Sequence, residues 1–313
     1  MSKKQVFIGF RIIVSVGLLI LLFRNLNISD LFAHFASLKI HFLIIALLFL
    51  VFQTLLSTIK WGQILQTESS NPPLLFLWKT ILIGSFLSLF LPSNIGGDVY
   101  RIYAVRNENH SLGKSTSSVI FDRITGVVAL ISIAFIASAF LPDQHYSWII
   151  IVGYLLILLG FMFVTSDSAV SWFSRFPFRW ARFPLKILKS LNAYQKDRTK
   201  MVIILLISFL FHITIVLISK IYTVALGFDV PFWQLMIIIP LISLAEALPV
   251  SINGFGVRES AFVFFFSLMG QPREQGLAVS LLAVFMRYVI GAIGGTILLY
   301  HTVRIKPKGK QMG

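Results

Sequence analysis

The 313-residue chain contains no cysteine, and only 12% of its residues are charged. The absence of cysteine excludes a disulfide framework, a thiol nucleophile and a cysteine-ligated metal site. Soluble domains carry about twice this share of charged residues, so the low charge content argues against a soluble globular fold. Acids are the scarcest charged group: 12 Asp and Glu stand against 27 Lys and Arg, which gives a formal net charge of +15.

Long apolar runs dominate the chain. Several reach about 18 residues or more, which is enough to cross the hydrocarbon layer of a membrane. The sequence therefore predicts an all-α polytopic membrane protein with a single integral domain over residues 1–313. In such a protein, excess Lys and Arg belong to cytoplasmic loops that meet anionic lipid, so nucleic acid is not expected as a partner. The runs lie at about 6–23, 40–59, 74–92, 117–141, 147–165, 201–226, 233–249, 259–270 and 276–300.

Two of the runs are interrupted in the same way. Residues 91–101 read LPSNIGGDVYR and residues 248–258 read LPVSINGFGVR, and the shared Leu, Pro, Ile, Gly and Arg all repeat at one offset of 157. An Arg inside a neighbouring apolar run follows each motif, at Arg123 and Arg287. The repetition predicts two copies of one structural unit, with halves at roughly 74–141 and 233–300. Coincidence within a sequence of few residue types is the alternative.

The distribution of basic residues predicts how the runs cross the membrane. The segment 166–200 is rich in Lys and Arg, whereas 142–146 and 227–232 contain neither, so the first should be cytoplasmic and the other two external. If every apolar run crossed the membrane, these three loops could not all lie on the sides that their charges predict. They do so if 74–106 and 233–270 each turn back at the motif and leave on the side where they entered. The result is about six crossing helices and two re-entrant broken-helix hairpins, which enter from opposite faces as an inverted repeat.

Both termini are then cytoplasmic, and the location is the cell membrane. Six Trp and Phe residues are interspersed among the bases of 171–200. This pattern predicts an amphipathic stretch lying on anionic lipid, with an ordinary solvated basic loop as the alternative.

The interruptions also predict a polar site within the membrane. Proline cannot continue the helical hydrogen bonding, and glycine permits a sharp turn. A helix that restarts after each break exposes N–H groups that attract anions, and Asn94, Asp98, Ser251 and Asn253 are suitable capping types. The predicted substrate-binding residues are Asn94, Gly96, Gly97, Asp98, Arg101, Asp122, Arg123, Glu246, Ser251, Asn253, Gly254, Gly256, Arg258, Glu259 and Arg287.

Four arginines at membrane depth need compensation, because each costs about 2.5–3.5 kcal/mol at the centre of a membrane helix. Guanidinium groups bind phosphate through paired donors, so a cavity that accepts a phospholipid headgroup is one interpretation. The alternative is four internal ion pairs that hold the broken helices in place. The six histidines show no metal-binding spacing, and no cofactor or metal site is predicted.

The motifs at 92–101 and 249–259, together with Asp122-Arg123, resemble the transmembrane region of lysylphosphatidylglycerol synthase, also called the flippase-like domain family. The resemblance covers essentially the whole chain. It implies a region that moves aminoacylated phospholipid between leaflets, without the soluble domain that performs aminoacyl transfer. It carries over to every predicted site residue except Ser251. The lipid itself stays open, with glycosylated and polyprenyl-linked lipids included.

Three functions follow as expectations. The first is a lipid translocase, not an enzyme, that acts on anionic or aminoacylated phospholipids or on glycolipids. The second is an intramembrane headgroup transferase with Asp98, Asp122, Glu246 or Glu259 as general base. The third is a non-transporting membrane partner of a separate lipid- or glycan-modifying enzyme. A homo-oligomer is left open.

Overall fold

The computed structural model describes residues 3–24, 26–66, 72–90, 96–106, 111–140, 147–175, 182–248, 250–251 and 253–304. All the regular structure in these residues is helical, which confirms the predicted all-α class. The helices are α1 (Lys3–Arg24), α2 (Ile28–Ala36), α3 (Ile40–Leu65), α4 (Leu74–Phe90), α5 (Gly96–Arg106), α6 (Leu112–Ser138), α7 (Ser147–Thr165), α8 (Asp167–Ser174), α9 (Arg182–Lys196), α10 (Arg198–Ala225), α11 (Phe232–Ala247), α12 (Val257–Leu268) and α13 (Arg273–Arg304).

Four of the described helices, α3, α6, α10 and α13, are long and apolar enough to cross a membrane. The α7–α8 pair, bent by 66°, is a fifth candidate if it is counted as one span. The protein is therefore a polytopic membrane protein, as the apolar runs predict. Helix α1 has a shorter apolar stretch, Gly9–Leu22, so its crossing as the sixth span stays a prediction.

Helices α4 and α5 form one antiparallel hairpin, with arms of 17 and 11 residues. Near the break, Gly97 donates to Ser88, and at the base Leu77 of α4 and Val105 of α5 share one core cluster. At a rise of about 1.5 Å per residue these arms are about 17–26 Å long, short of the roughly 30 Å hydrocarbon layer. The chain therefore leaves the hairpin at the end of the bundle where it entered.

Helices α11 and α12, with 16 and 12 residues, form a second hairpin of the same kind. Gln234, in the first turn of α11, donates to the carbonyl of Met269, which follows α12, and accepts from Gln271. The start of α11 and the end of α12 thus lie side by side. Both predicted re-entrant hairpins are present.

The hairpins open at opposite ends of the bundle. Helix α3 leads into the first hairpin and α10 into the second, and these two helices run antiparallel against each other. Lys39, before α3, donates to the carbonyl of Ala225 at the end of α10, while Lys60, near the end of α3, lies 5.7 Å from the ring of Phe211 in the middle of α10. Because α3 and α10 end at opposite ends of the bundle, the hairpins that follow them also open at opposite ends.

The helix packing has an internal two-fold pattern. If α3, α4, α5 and α6 are exchanged for α10, α11, α12 and α13, every packed pair among these eight helices maps onto a packed pair. Thus α4 packs on α13 where α11 packs on α6, and α3 packs on its own equivalent, α10. The repeat is therefore inverted, as predicted, and in each half it begins one helix earlier than the sequence motifs indicate.

The basic segment 166–200 is mostly helical where it is described. Amphipathic α9 packs against α6 and α7: Leu191 is buried, and the ring of Tyr194 stacks on Phe121 of α6 with centroids 4.5 Å apart. Residues 176–181 lie outside the described residues. The packing favours the predicted amphipathic stretch over a solvated loop.

Candidate functional site

Both helices break where the sequence predicts. Helix α4 ends at Phe90 and α5 begins at Gly96, while α11 ends at Ala247 and α12 begins at Val257. Residues 91–95, 249 and 252 lie outside the described residues, so Asn94 and the two motif prolines have no structural outcome. The remaining predicted site residues are all described.

At the first break, α5 approaches α4 closely. The N–H of Gly97 donates to Ser88 Oγ at 3.0 Å, which satisfies one of the free N–H groups at the start of α5. A Cβ at position 97 would overlap the carbonyl oxygen of Gly84 and Ser88 Oγ. Gly96 and Gly97 are both buried at the start of α5. The glycine motif therefore brings Asp98 and Arg101 within reach of α6.

The second break depends on backbone conformation. Asn253, Gly254 and Gly256 have φ values of 51°, 77° and 81°, the left-handed region that Gly and Asn tolerate best. The N–H of Gly256 donates to Glu259 Oε2 at 2.7 Å. Glu259, instead of the expected Ser251 or Asn253, thus caps α12. The hydroxyl of Ser251 is buried, with no hydrogen-bond partner among the described residues.

Five ionised side chains form the first cluster: Lys60, Asp98, Arg101, Asp122 and Arg123. Asp122 forms ion pairs with two cations, with Oδ1 2.6 Å from Lys60 Nζ and Oδ2 3.0 Å from Arg101 Nη2. Asp98 Oδ2 lies 2.5 Å from Arg123 Nη2, and Asp98 Oδ1 lies 3.7 Å from Arg101 Nη1. The cluster joins α3, α5 and α6 and contains three cations against two carboxylates.

Most of the first cluster is enclosed by protein. The guanidinium of Arg101 lies 4.3 Å from the ring of Trp61, and Trp61 in turn donates to Ser118 Oγ. Lys60 also donates to the carbonyl of Asp122 at 3.2 Å. Only the side chain of Arg123 is about half exposed. This arrangement matches the internal ion pairs that the sequence offered as the alternative to a ligand cavity.

The second cluster comprises Glu246, Arg258, Glu259 and Arg287, which join α11, α12 and α13. Arg258 Nη2 lies 2.5 Å from Glu259 Oε1, and Arg258 Nη1 lies 3.6 Å from Glu246 Oε1. The same Glu246 oxygen lies 2.6 Å from Arg287 Nη1. The side chain of Arg258 is 3% exposed and that of Arg287 is 44% exposed. Arg258 is therefore fixed inside the fold, whereas Arg287 is presented to open space.

The open space beside the second cluster is a cavity of about 340 Å³ at the centre of the helix bundle. Glu246, Arg258 and Arg287 line it on one side. Polar side chains of α3, α4, α10 and α11 line it elsewhere, namely Gln53, Thr54, Ser57, Ser85, Ser219, Tyr222 and Ser243. Its volume is in the range of small-molecule sites, and its lining provides both hydroxyl groups and a guanidinium.

A second cavity, of about 270 Å³, shares Ser85, Arg258 and Arg287 with the first. Ser88, at the end of α4, and Asn253, in the second break, also line it. Asn253 Nδ2 donates to the carbonyl of Leu89 at 3.1 Å. This hydrogen bond joins the two interruptions directly, so the two breaks meet as the inverted repeat predicts.

The structure thus divides the predicted site residues between two clusters. None of the five side chains of the first cluster belongs to the described lining of either cavity. The sequence missed Lys60, which lies just beyond the predicted run 40–59, although an ionisable residue beside apolar residues is itself a functional signal. It also missed the cavity hydroxyls, because Ser and Thr in membrane helices are common and give no distinctive pattern.

Comparison with known proteins places the chain in a family. Residues 7–295 match the model of the lysylphosphatidylglycerol synthase TM region. A UPF0104 membrane protein of Methanocaldococcus jannaschii is 26% identical over 229 residues, which cover 70% of this chain and 95% of that protein. No solved structure matches the chain. Because the family model covers nearly all of the helical bundle, the chain belongs to the lysylphosphatidylglycerol synthase transmembrane-region family.

Proposed function

We propose that the protein is a lipid translocase whose central cavity accepts the phosphate-bearing headgroup of a membrane lipid. The observation that carries the proposal is the half-exposed guanidinium of Arg287 at the wall of a 340 Å³ cavity. A guanidinium binds phosphate oxygens through two parallel hydrogen bonds. The surrounding hydroxyls suit the glycerol, sugar or aminoacyl part of a headgroup, while the acyl chains stay in the bilayer.

The fold supports the same proposal. Broken helices that meet from opposite ends around a polar site are the arrangement that many secondary transporters use for alternating access. Ser88, Asn253 and Glu259 supply hydrogen-bond partners for backbone groups at the breaks, as broken backbone requires within a membrane. The family name refers to the membrane region of an enzyme that makes lysylphosphatidylglycerol, which favours a polar phospholipid, anionic or aminoacylated, as the substrate class.

The carboxylates favour transport over transfer chemistry. Asp98, Asp122, Glu246 and Glu259 each accept from at least one Lys or Arg. The oxygens of these carboxylates are therefore occupied by cations of the protein itself, whereas a general base must lie within hydrogen-bond reach of the proton that it takes from the substrate. The third hypothesis, a non-transporting partner of a lipid- or glycan-modifying enzyme, gives the cavity no role.

The proposal is tested with the full chain in liposomes that contain lipids fluorescently labelled at the headgroup. External dithionite reports the labelled lipid that reaches the outer leaflet, with phosphatidylglycerol, its lysyl form and a glycolipid measured separately. We expect at least one lipid to become accessible faster than in empty vesicles. We also expect Arg287→Gln to slow this lipid about tenfold, which corresponds to about 1.4 kcal/mol.

The matched control is Lys200→Gln, because it removes one positive charge from an exposed pair at the start of α10. This variant should transport normally. If every lipid behaves as in empty vesicles, the translocase proposal is wrong. New lipid species on thin-layer chromatography would instead support the transferase.

A further inference from the structure

A groove between α1 and α12 lies outside the two clusters. It has a volume of about 270 Å³. Apolar side chains form most of its walls, among them Leu18 and Leu22 on α1 and Val263 and Phe264 on α12. Arg273, at the start of α13, lines the same groove. The groove is therefore apolar along its length and cationic at one end.

The position of the groove matches one leaflet of a membrane. Its Arg273 end is a terminus of the bundle, because the adjacent Glu274 accepts from the N–H of Asn27, beyond the end of α1. From there the groove runs along α12 towards the second break, where Gly256 packs against Ser15 of α1. Twelve residues of helix extend about 18 Å, close to the half-thickness of about 15 Å of the hydrocarbon layer.

Helix α12 lines a different space with each of two faces, because side chains are distributed around a helix with a period of 3.6 residues. Arg258 and Phe262 face the central cavity, whereas Ser260, Val263 and Ser267 face the groove. One helix thus separates the groove from the headgroup cavity. Both faces converge on the second break, where the chain is not helical and Gly254 packs against Glu246.

The charge of Arg273 indicates which molecule fits. Arg273 is exposed, and no carboxylate in the described part of the chain forms an ion pair with it. A phospholipid of this leaflet has its phosphate at the membrane surface and its acyl chains directed towards the midplane. An apolar groove with an arginine at the surface end matches that molecule in polarity, charge and direction.

We infer that the groove between α1 and α12 binds one phospholipid of the leaflet into which the second hairpin opens, with an acyl chain along α12 and the phosphate at Arg273. If the protein is a translocase, as proposed above, a lipid in this groove is one that is entering or leaving the central cavity. The binding of a lipid in the groove does not depend on the proposed function.

The test uses the full chain in phosphatidylglycerol nanodiscs with a trace of phosphatidylglycerol that carries a photoactivatable diazirine in its acyl chain. After irradiation, labelled positions are mapped by mass spectrometry of peptides. We expect labelling to concentrate on the groove faces of α1 and α12. Val263→Trp, which fills the groove, and Arg273→Gln, which is exposed and so does not threaten folding, should each reduce this labelling about tenfold.

Two matched variants control for bulk and charge. Leu241→Trp adds the same side chain at an exposed position on α11, and Arg24→Gln removes an exposed arginine from the end of α1. Both should label the groove normally. Labelling spread evenly over the lipid-facing helices, including the exposed face of α7, would overturn the inference, as would unchanged labelling in Val263→Trp and Arg273→Gln.

The groove site and the proposed transport fail in different ways. Arg287→Gln should lose transport and keep full labelling of the groove, because labelling needs only lipid binding. Groove labelling in a protein that moves no lipid would leave the site in place and remove its role in translocation. Normal transport without groove labelling would refute the site and leave the translocase proposal intact.

Discussion

The two ends of the inverted repeat use equivalent arginines in different ways. In the first cluster, Arg101 is enclosed between Trp61 and Asp122 and lines neither cavity. In the second, the side chain of Arg258 is only 3% exposed, yet Arg258 and its neighbour Arg287 both line the central cavity. Similar sequence motifs therefore do not imply similar roles. The first cluster is an ion-pair network that is mostly enclosed by protein, whereas residues of the second line both described cavities.

Formal charge separates the two clusters further. The first holds three cations and two carboxylates, and the second holds two of each. Lys60 accounts for the difference, and α3 supplies it from outside the repeated motif. A buried ion-pair network is strongly destabilised when one member is removed. Removing one charge at a time therefore tests whether the two clusters contribute differently to stability and transport.

The largest expected effect is on stability, from Asp122→Asn. This change leaves Lys60 buried without its carboxylate, and we expect a loss of about 3–5 kcal/mol in the free energy of unfolding. Glu246→Gln in the second cluster should cost clearly less, because Arg258 keeps Glu259 and Arg287 is half exposed. Unfolding by SDS titration in mixed micelles measures both.

The exposed pair of Lys200 and Asp197 provides the control, because a surface ion pair contributes about 0–1 kcal/mol and Asp197→Asn is the same chemical change. Equal losses for Asp122→Asn and Glu246→Gln would mean that the two clusters are equally structural. The distinction between core and ligand site would then be lost.

The next effect concerns packing at the first break. Gly97→Ala places a Cβ against the carbonyl oxygen of Gly84 and Ser88 Oγ, and such overpacking costs about 1–3 kcal/mol. The same SDS titration measures it. Gly153→Ala on α7 is the control, because nothing lies within 4 Å of the added Cβ, and it should not destabilise. A neutral Gly97→Ala would show that α5 does not need its close contact with α4.

The third effect is on transport and compares two equivalent arginines. The side chains of Arg287 and Arg123 are 44% and 49% exposed. Lysine keeps the charge and loses the planar fork, so we expect Arg287→Lys to slow dithionite-detected transport about tenfold, or about 1.4 kcal/mol. Arg123→Lys should leave transport unchanged. Equal losses would place substrate at both clusters.

The smallest effect concerns the link between the breaks. Asn253→Gly removes the hydrogen bond to the carbonyl of Leu89 and keeps the left-handed backbone, at a cost of about 0.5–1.5 kcal/mol. Asn253→Ala adds the strain of a left-handed alanine, about 1–2 kcal/mol more. Thermal unfolding in detergent measures both variants. If Ala and Gly are equivalent here, the second break does not depend on its backbone conformation.

Much of the architecture could be predicted because the physical signals are local. A run of apolar residues predicts a membrane helix from its length alone, and the Pro and Gly residues of the two motifs predict where α4 and α11 end. The distribution of Lys and Arg then predicts which runs turn back. Helices α2 and α8, by contrast, have only nine and eight residues, and no apolar run indicates them.

The partners within the site could not be predicted in the same way. The chain order places Asp122 beside Arg123, yet Asp122 pairs with Lys60 and Arg101, and Arg123 pairs with Asp98. On a helix, consecutive side chains point about 100° apart, so neighbours in sequence face different helices. Glu259 likewise caps α12, although Ser251 and Asn253 are the residue types expected there.

The sequence alone determined that this protein lies in a membrane, where its helices break and that it contains an inverted repeat. Hydropathy, proline and glycine each act on the backbone within a few residues of their own position. Only the tertiary structure decided that the second cluster lines the two described cavities and that most of the first is enclosed by protein. That outcome depends on side chains from helices far apart in the chain, such as Lys60 beside Asp122 and Arg287 beside Glu246. Their proximity follows from how eight helices pack, and no local pattern encodes it.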